Sequence, residues 1–188
     1  MNKEDPLIAD FIKHSNLLAG IPEELSVPGS PYFDGHLEAF RYCLLSLTRG
    51  KLSVRIMLEA HRYLLESLDK RAGKFRSNPF DIVSSSNHVS PLPVYVVPLL
   101  ERLIDSFRVI RTKNDCLRLY MNFVSILPFS SGNGRVGRCL LNSFRIIKSH
   151  PLLITDSKFF SDLSPILDKY QRVRFSAELS SIVTSLYK

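Results

Sequence analysis

Tryptophan is absent from this 188-residue chain, but its absence excludes nothing, because 12 Phe and 7 Tyr supply the large rings a core needs. The scarcity of cysteine says more. Cys43, Cys116 and Cys139 sit inside apolar helical patterns and form no Cys-x-x-Cys pair, which excludes a disulfide scaffold and a zinc framework. They read as reduced core thiols in a cytoplasmic protein. No apolar run approaches the ~20 residues of a membrane-spanning helix. The N-terminus, Met-Asn-Lys-Glu-Asp-Pro, lacks the apolar core of a cleaved signal peptide. A secretion-system signal leaves no such mark, so an effector delivered into a host cell stays open. There is also no zinc-ligand spacing, aromatic RNA-binding signature or Arg-rich tract, and nucleic acid is not the expected partner despite a net charge of +7.

That charge is unevenly spread. The first forty residues hold two lysines against seven carboxylates, a net of −5, which leaves +12 on the remainder. An acidic front end lying across a basic body is the arrangement this implies. The length suits a single domain spanning 1–188, with 1–35 as an N-terminal extension and 36–188 as the core.

Apolar residues recur at helical spacing along most of the chain. The first helix spans residues 5–19 with Leu7, Ile8, Phe11, Ile12, Ser15 and Leu18 on one face, and a second begins at Ser30-Pro31, a good cap and first residue. Leu52 to Leu68 repeats the design. His61 lies on its apolar stripe and reads as a hydrogen-bonded core histidine. Helices follow over 95–110 and 117–127, with Lys113-Asn114-Asp115 breaking the chain and Asp115 as a cap, and two more over 159–167 and 170–187 close an all-α bundle. Residues 69–93 are the one long stretch without helical period, and a loop of that length in a compact domain is usually functional.

The chemistry concentrates at Leu127 to Arg138, Leu-Pro-Phe-Ser-Ser-Gly-Asn-Gly-Arg-Val-Gly-Arg. Pro128 pushes the residue before it out of helical space, and Gly132, Asn133 and Gly134 allow a sharp turn into a new helix. Arg135 and Arg138 then share the first turn, where the helix dipole is already positive. Two readings are open: a Gly-rich turn whose arginines face water, or an anion site in which the Gly132-Asn133-Gly134 amides form a nest and both guanidiniums close on a phosphate or carboxylate.

This elbow resembles the signature of the Fic (Fido) family, H-P-F-x-[D/E]-G-N-G-R-x-x-R, of which Pro128, Phe129, Gly132, Asn133, Gly134, Arg135 and Arg138 are retained. The resemblance implies a Fic-like helical bundle with a small β-hairpin flap and an activity that moves AMP from ATP to a hydroxyl of a protein. The His61-Arg62 pair is similar to one the family often has at that helix. Two departures fall on the chemistry. Leu127 stands where the family has its general-base histidine, and Ser131 where it has the acid that holds magnesium. Loss of a general base typically costs ~10²–10⁴ in rate, and a neutral hydroxyl is a poor substitute for a carboxylate on a hard cation. The expectation is a degenerate adenylyltransferase that binds ATP or another nucleotide on Gly132, Asn133, Gly134, Arg135 and Arg138, with Mg2+ weak or absent. The rivals are a transferase with a non-standard base or donor, and a structural adaptor with an empty site.

Two further elements follow from the resemblance. Ser30-x-x-x-Asp34-Gly35 is similar to an inhibitory motif, [S/T]-x-x-x-E-[G/N], whose acid pairs with the second arginine of the signature. Here the acid is the shorter aspartate, and the competing reading is simple capping by Ser30. Gly73 to Arg76 is similar to the element that leads into the family's target-holding flap, about 74–90 here, with Lys74, Phe75, Arg76, Phe80 and Ile82 expected to meet a protein partner by strand addition.

Overall fold

Proline sets the start of the first two helices. Asp5 caps α1 (Pro6–Leu17) by accepting from the Leu7 amide, and Ser30 caps α2 (Pro31–Arg49) by accepting from the Phe33 amide at 3.1 Å. In both, proline occupies the first helical position, where no amide hydrogen is needed. The chain is described by a computed structural model over residues 5–78 and 90–158, with Ser161 and Pro165. Ser53 caps α3 (Val54–Leu65), and a 3₁₀ turn over Pro93–Tyr95 leads into α4 (Val96–Ser106). α5 (Lys113–Ile126) begins earlier than the sequence pattern indicates. Thr112 is its cap, and Asp115 completes a capping box by accepting from the Thr112 amide at 3.0 Å while its own amide donates to the threonine hydroxyl. Lys113 and Asn114 therefore open the helix and do not break the chain.

α6 (Asn133–Ile147) is the centre of the bundle, packed between α2 and α5. It is buried on nearly every side, and among its buried residues are Arg135, Arg138, Asn142 and Ser143. Phe11, Phe33, Phe40, Phe123 and Phe129 are fully buried around it, each burial worth about 1.5–3 kcal/mol. Two glycines set the helix spacing. A Cβ at Gly137 would lie 3.0–3.1 Å from Tyr120, Phe123 and Val124, which lets α5 and α6 approach closely. A Cβ at Gly35 would lie 2.8 Å from the Leu64 carbonyl oxygen and 3.1 Å from that of Tyr63.

Because the obstacles at Gly35 are backbone atoms of α3, they yield only if the two helices separate. Gly35→Ala is expected to cost on the order of 1–3 kcal/mol, seen as a lower urea midpoint at unchanged slope.

The described residues form helices and turns with no strand. Most of the expected hairpin, with Phe80 and Ile82, and the expected helices after Phe159 lie outside the described residues. No helix among those described is long and apolar enough to cross a membrane.

Candidate anion-binding site

The elbow between α5 and α6 is held from beneath by side chains distant in sequence. Leu127 ends α5 with φ 47° and ψ 61°, in the left-handed region that leucine rarely adopts. Arg76 fixes it there. Its Nε donates to the Leu127 carbonyl at 2.6 Å, its backbone amide to the Pro128 carbonyl at 3.0 Å, and its Nη2 to the Pro91 carbonyl. Arg76 is buried, with Nε and Nη2 bonded to the elbow and to Pro91 and Nη1 without a partner, while Lys74 is exposed and Phe75 stacks on Phe129 with ring centroids 5.6 Å apart.

Phe129 is the floor of the turn. Its ring lies flat on His61, centroids 3.9 Å apart and planes within 2°. His61 Nδ1 accepts from the Gly73 amide at 3.0 Å, which assigns the ring proton to Nε2, the donor to the Ser131 carbonyl at 3.2 Å. Both nitrogens are thereby occupied. Burial, opposed by the Ser131 contact and reinforced by Arg135, brings the pKa of His61 down to about 4. The histidine is neutral and structural, as its place on an apolar stripe implies. Its position under the elbow, seventy residues away in sequence, was not legible there.

Asn133 locks the other half. Its Oδ1 accepts from the Phe129 amide at 2.9 Å and its Nδ2 donates to the Phe129 carbonyl at 2.8 Å. Gly132 precedes it at φ 73° with Leu64, Leu65 and His61 close around its Cα. No side chain caps α6, so its first amides lack the partner a capping residue gives. At Gly134 a Cβ would lie 3.0 Å from Nη1 of Arg138, so the missing side chain leaves room for that guanidinium across the first turn.

The two arginines are buried but treated differently. Arg138 donates from Nε to the Ser15 hydroxyl at 2.7 Å and from Nη2 to the Ser15 carbonyl at 2.8 Å, near the C-terminal end of α1. Asp34, the residue similar to an inhibitory acid, accepts from the Gly29 amide at 3.3 Å in the turn before α2. Arg135 is 7 % exposed, and its Nε and Nη1 have no partner. Among the described residues no carboxylate is within ion-pair distance of either guanidinium. Burial first, then the neighbouring Arg138, lowers the pKa of Arg135 to about 10. Cys139 on the next turn is pushed up to about 12 by burial, against the pull of both arginines, and stays a thiol.

Ser15 is the site neighbour that sequence reasoning did not single out. Ser15 had a faint signal, a hydroxyl on the apolar face of the first helix. Its value was invisible because its partner is 123 residues away.

The residues around the turn are buried cations and, at the position where the family has its acid, Ser131, a set whose charge suits an anion.

Residues 51–145 match the family model described as Fic/DOC family. Over 162 residues the chain is 29% identical to the protein adenylyltransferase Fic of Drosophila willistoni, an alignment covering 79% of this chain and 32% of that protein. The corresponding protein of Drosophila melanogaster is 28% identical with the same coverage. The chain thus spans about a third of the length of the curated relatives it matches. Among solved structures, a Fic domain containing signaling protein from Bacteroides thetaiotaomicron superposes with a TM-score of 0.74 at 19% identity, over 87% of this chain and 71% of that one. Fic-1 from C. elegans gives 0.66 at 20% identity, over 97% and 65%.

Proposed function

Since this chain belongs to the Fic/DOC family, we propose that it is an adenylyltransferase-like protein that binds a nucleotide or phosphate at the α6 N-terminus and transfers little or nothing by the family's route. The observation that carries the reading is the unpartnered guanidinium of Arg135. A buried donor left without an acceptor costs about 1–3 kcal/mol, and a bound phosphate would remove that cost at Arg135 Nε and Nη1. The amides of Asn133, Gly134 and Arg135 would face the same anion.

The absence of transfer rests on the elbow. Leu127 has no proton acceptor, and His61, the histidine against the elbow, has both nitrogens engaged and so offers no base. The protein then works by holding a partner, with the segment after Arg76 as the contact surface. The three buried free thiols support a cytoplasmic site of action, in its own cell or a host's. One observation favours a second reading, an adaptor with its anion site filled from within: Arg138 already has an internal partner in Ser15.

Arg135→Met separates the two. Under the anion reading the variant is more stable than the wild type when unliganded, by on the order of 1–3 kcal/mol, because a buried unpaired charge is gone. ATP at about a hundred times its Kd adds about 2.7 kcal/mol to the wild type and nothing to the variant. Equal stabilisation of both proteins by ATP, or of neither, overturns the reading. Intact masses of the protein and of co-incubated candidates, after exposure to ATP and magnesium, test the absence of transfer; an adduct overturns that part alone.

A further inference from the structure

We infer that the end of the bundle opposite the elbow is a docking surface for an anionic lipid bilayer, and that it holds the protein with the elbow on the side away from the lipid. The placement follows from how the helices run. α2 and α6 both start at the elbow end, where Gly35 and Gly132 lie against Leu64 near the close of α3. α5 ends at the elbow itself, and α4 starts a few residues after Pro91, which Arg76 ties to the elbow. The far end therefore collects the ends of α2, α4 and α6 with the starts of α3 and α5. α2 has 19 residues and is about 28 Å long, so one helix length separates the two ends.

Segments 45–56, 105–118 and 145–151 make up that far end and hold nine Lys and Arg against two Asp. Both acids are engaged. Asp105 pairs with Arg108 at 2.8 Å, and Asp115 accepts from the amides of Arg111 and Thr112. Arg49, Lys51, Arg55, Arg111, Lys113 and Lys148 are exposed, and among the described residues no carboxylate is within ion-pair distance of them.

The helix dipoles do not account for this charge. Arg49 and Lys148 stand at C-terminal ends, where a cation stabilises. Arg55 is the second residue of α3 and Lys113 the first of α5, both at positive ends, where a cation costs stability. An anion outside the molecule offsets that cost.

What stands among the cations favours a bilayer over a nucleic acid. Val109 is 64% exposed between Arg108 and Arg111, in a turn anchored by the buried Phe107 and Ile110. An aliphatic tip among cations suits the headgroup boundary of an anionic leaflet, where the side chain leaves water and the cations meet lipid phosphates. Among the described residues no aromatic ring is exposed for stacking on a base. Docked this way, the elbow and Arg76 lie about one helix length above the lipid, on the side open to a soluble partner.

Co-sedimentation with vesicles tests the inference. At about 0.1 M salt the wild type is expected to bind phosphatidylcholine vesicles containing about one-third phosphatidylserine and not to bind phosphatidylcholine alone; about 0.5 M salt should release it. Lys51→Gln, Arg55→Gln and Lys113→Gln together are expected to weaken binding about a hundredfold, at about fivefold per charge. The triple variant should melt no lower than wild type, since two of its changes remove a cation from a positive helix end. Val109→Ser keeps every charge and is expected to weaken vesicle binding about tenfold while leaving any binding to duplex DNA unchanged. No binding to the anionic vesicles, or equal binding to the neutral ones, overturns the inference. So does an equal loss on replacing Lys13, Lys70 and Arg71 at the elbow end by Gln, because net charge alone would then be the cause. Tighter binding to duplex DNA than to the vesicles, with no loss on either in Val109→Ser, overturns the bilayer in favour of a nucleic acid.

Discussion

Leu127→His combined with Ser131→Asp is expected to raise the release of diphosphate from ATP by ~10²–10⁴-fold over the wild type, with water or a protein hydroxyl as acceptor. The expectation rests on the reading proposed above and on the backbone of the elbow. Position 127 is held at φ 47° by the Arg76 contact to its carbonyl. That is a conformation in which histidine is enriched several-fold and leucine is unusual. The backbone at 127 thus has a shape that suits histidine. Under the proposed reading, Leu127→His would add a proton acceptor without moving the chain, and Ser131→Asp would add a charged oxygen beside a bound nucleotide's phosphates. The single variants are expected to fall well short of the pair.

An unchanged rate in a folded double variant that still binds ATP would show that the site has drifted beyond those two positions. Ser15 would be the first suspect, since it engages Nε and Nη2 of Arg138, two of the three nitrogens able to meet a phosphate. Adding Ser15→Ala removes the hydroxyl and leaves the carbonyl, which distinguishes an obstructed arginine from a displaced one.

What the sequence made legible follows the range of the forces involved. Helices α1, α2 and α3 were readable because their caps and apolar spacing lie within a few residues, and the elbow because its glycines and Pro128 act locally. Thr112 was missed as a cap because Asp115, three residues later, carries the same signal, and the capping box uses both. The burial of α6 on nearly all sides was not readable, since its arginines suggest a solvent face until α1 and α2 are seen to cover them. Arg76 is the clearest case. Its neighbours marked it for a partner surface, and two of its side-chain donors serve Leu127 and Pro91, at 51 and 15 residues' separation. Long-range polar contacts of this kind leave no periodic trace in the chain.

Lowering the pH from about 7 to about 4 is expected to remove about 3 kcal/mol of stability through His61 alone. In the folded protein its pKa is about 4 against 6.5 unperturbed. The unfolded chain therefore gains a proton as pH falls through 6.5, while the folded chain stays neutral until about 4. Stability is full above 6.5, declines across that window and levels off below it. His36, also held well below its ordinary value, acts in the same direction. Glu23, lowered from 4.5, and Asp69 and Asp115, lowered from 3.8, begin to lose their contributions about one unit above those values, so the upper part of the window, from about pH 6.5 to about pH 5.5, belongs to the histidines. Urea midpoints across it should fall steeply for the wild type. His61→Asn should be weaker at neutral pH, having lost the Phe129 stack, but flatter with pH. A wild-type profile level between about pH 6.5 and 4.5, or a variant of equal slope, would remove His61 as the source.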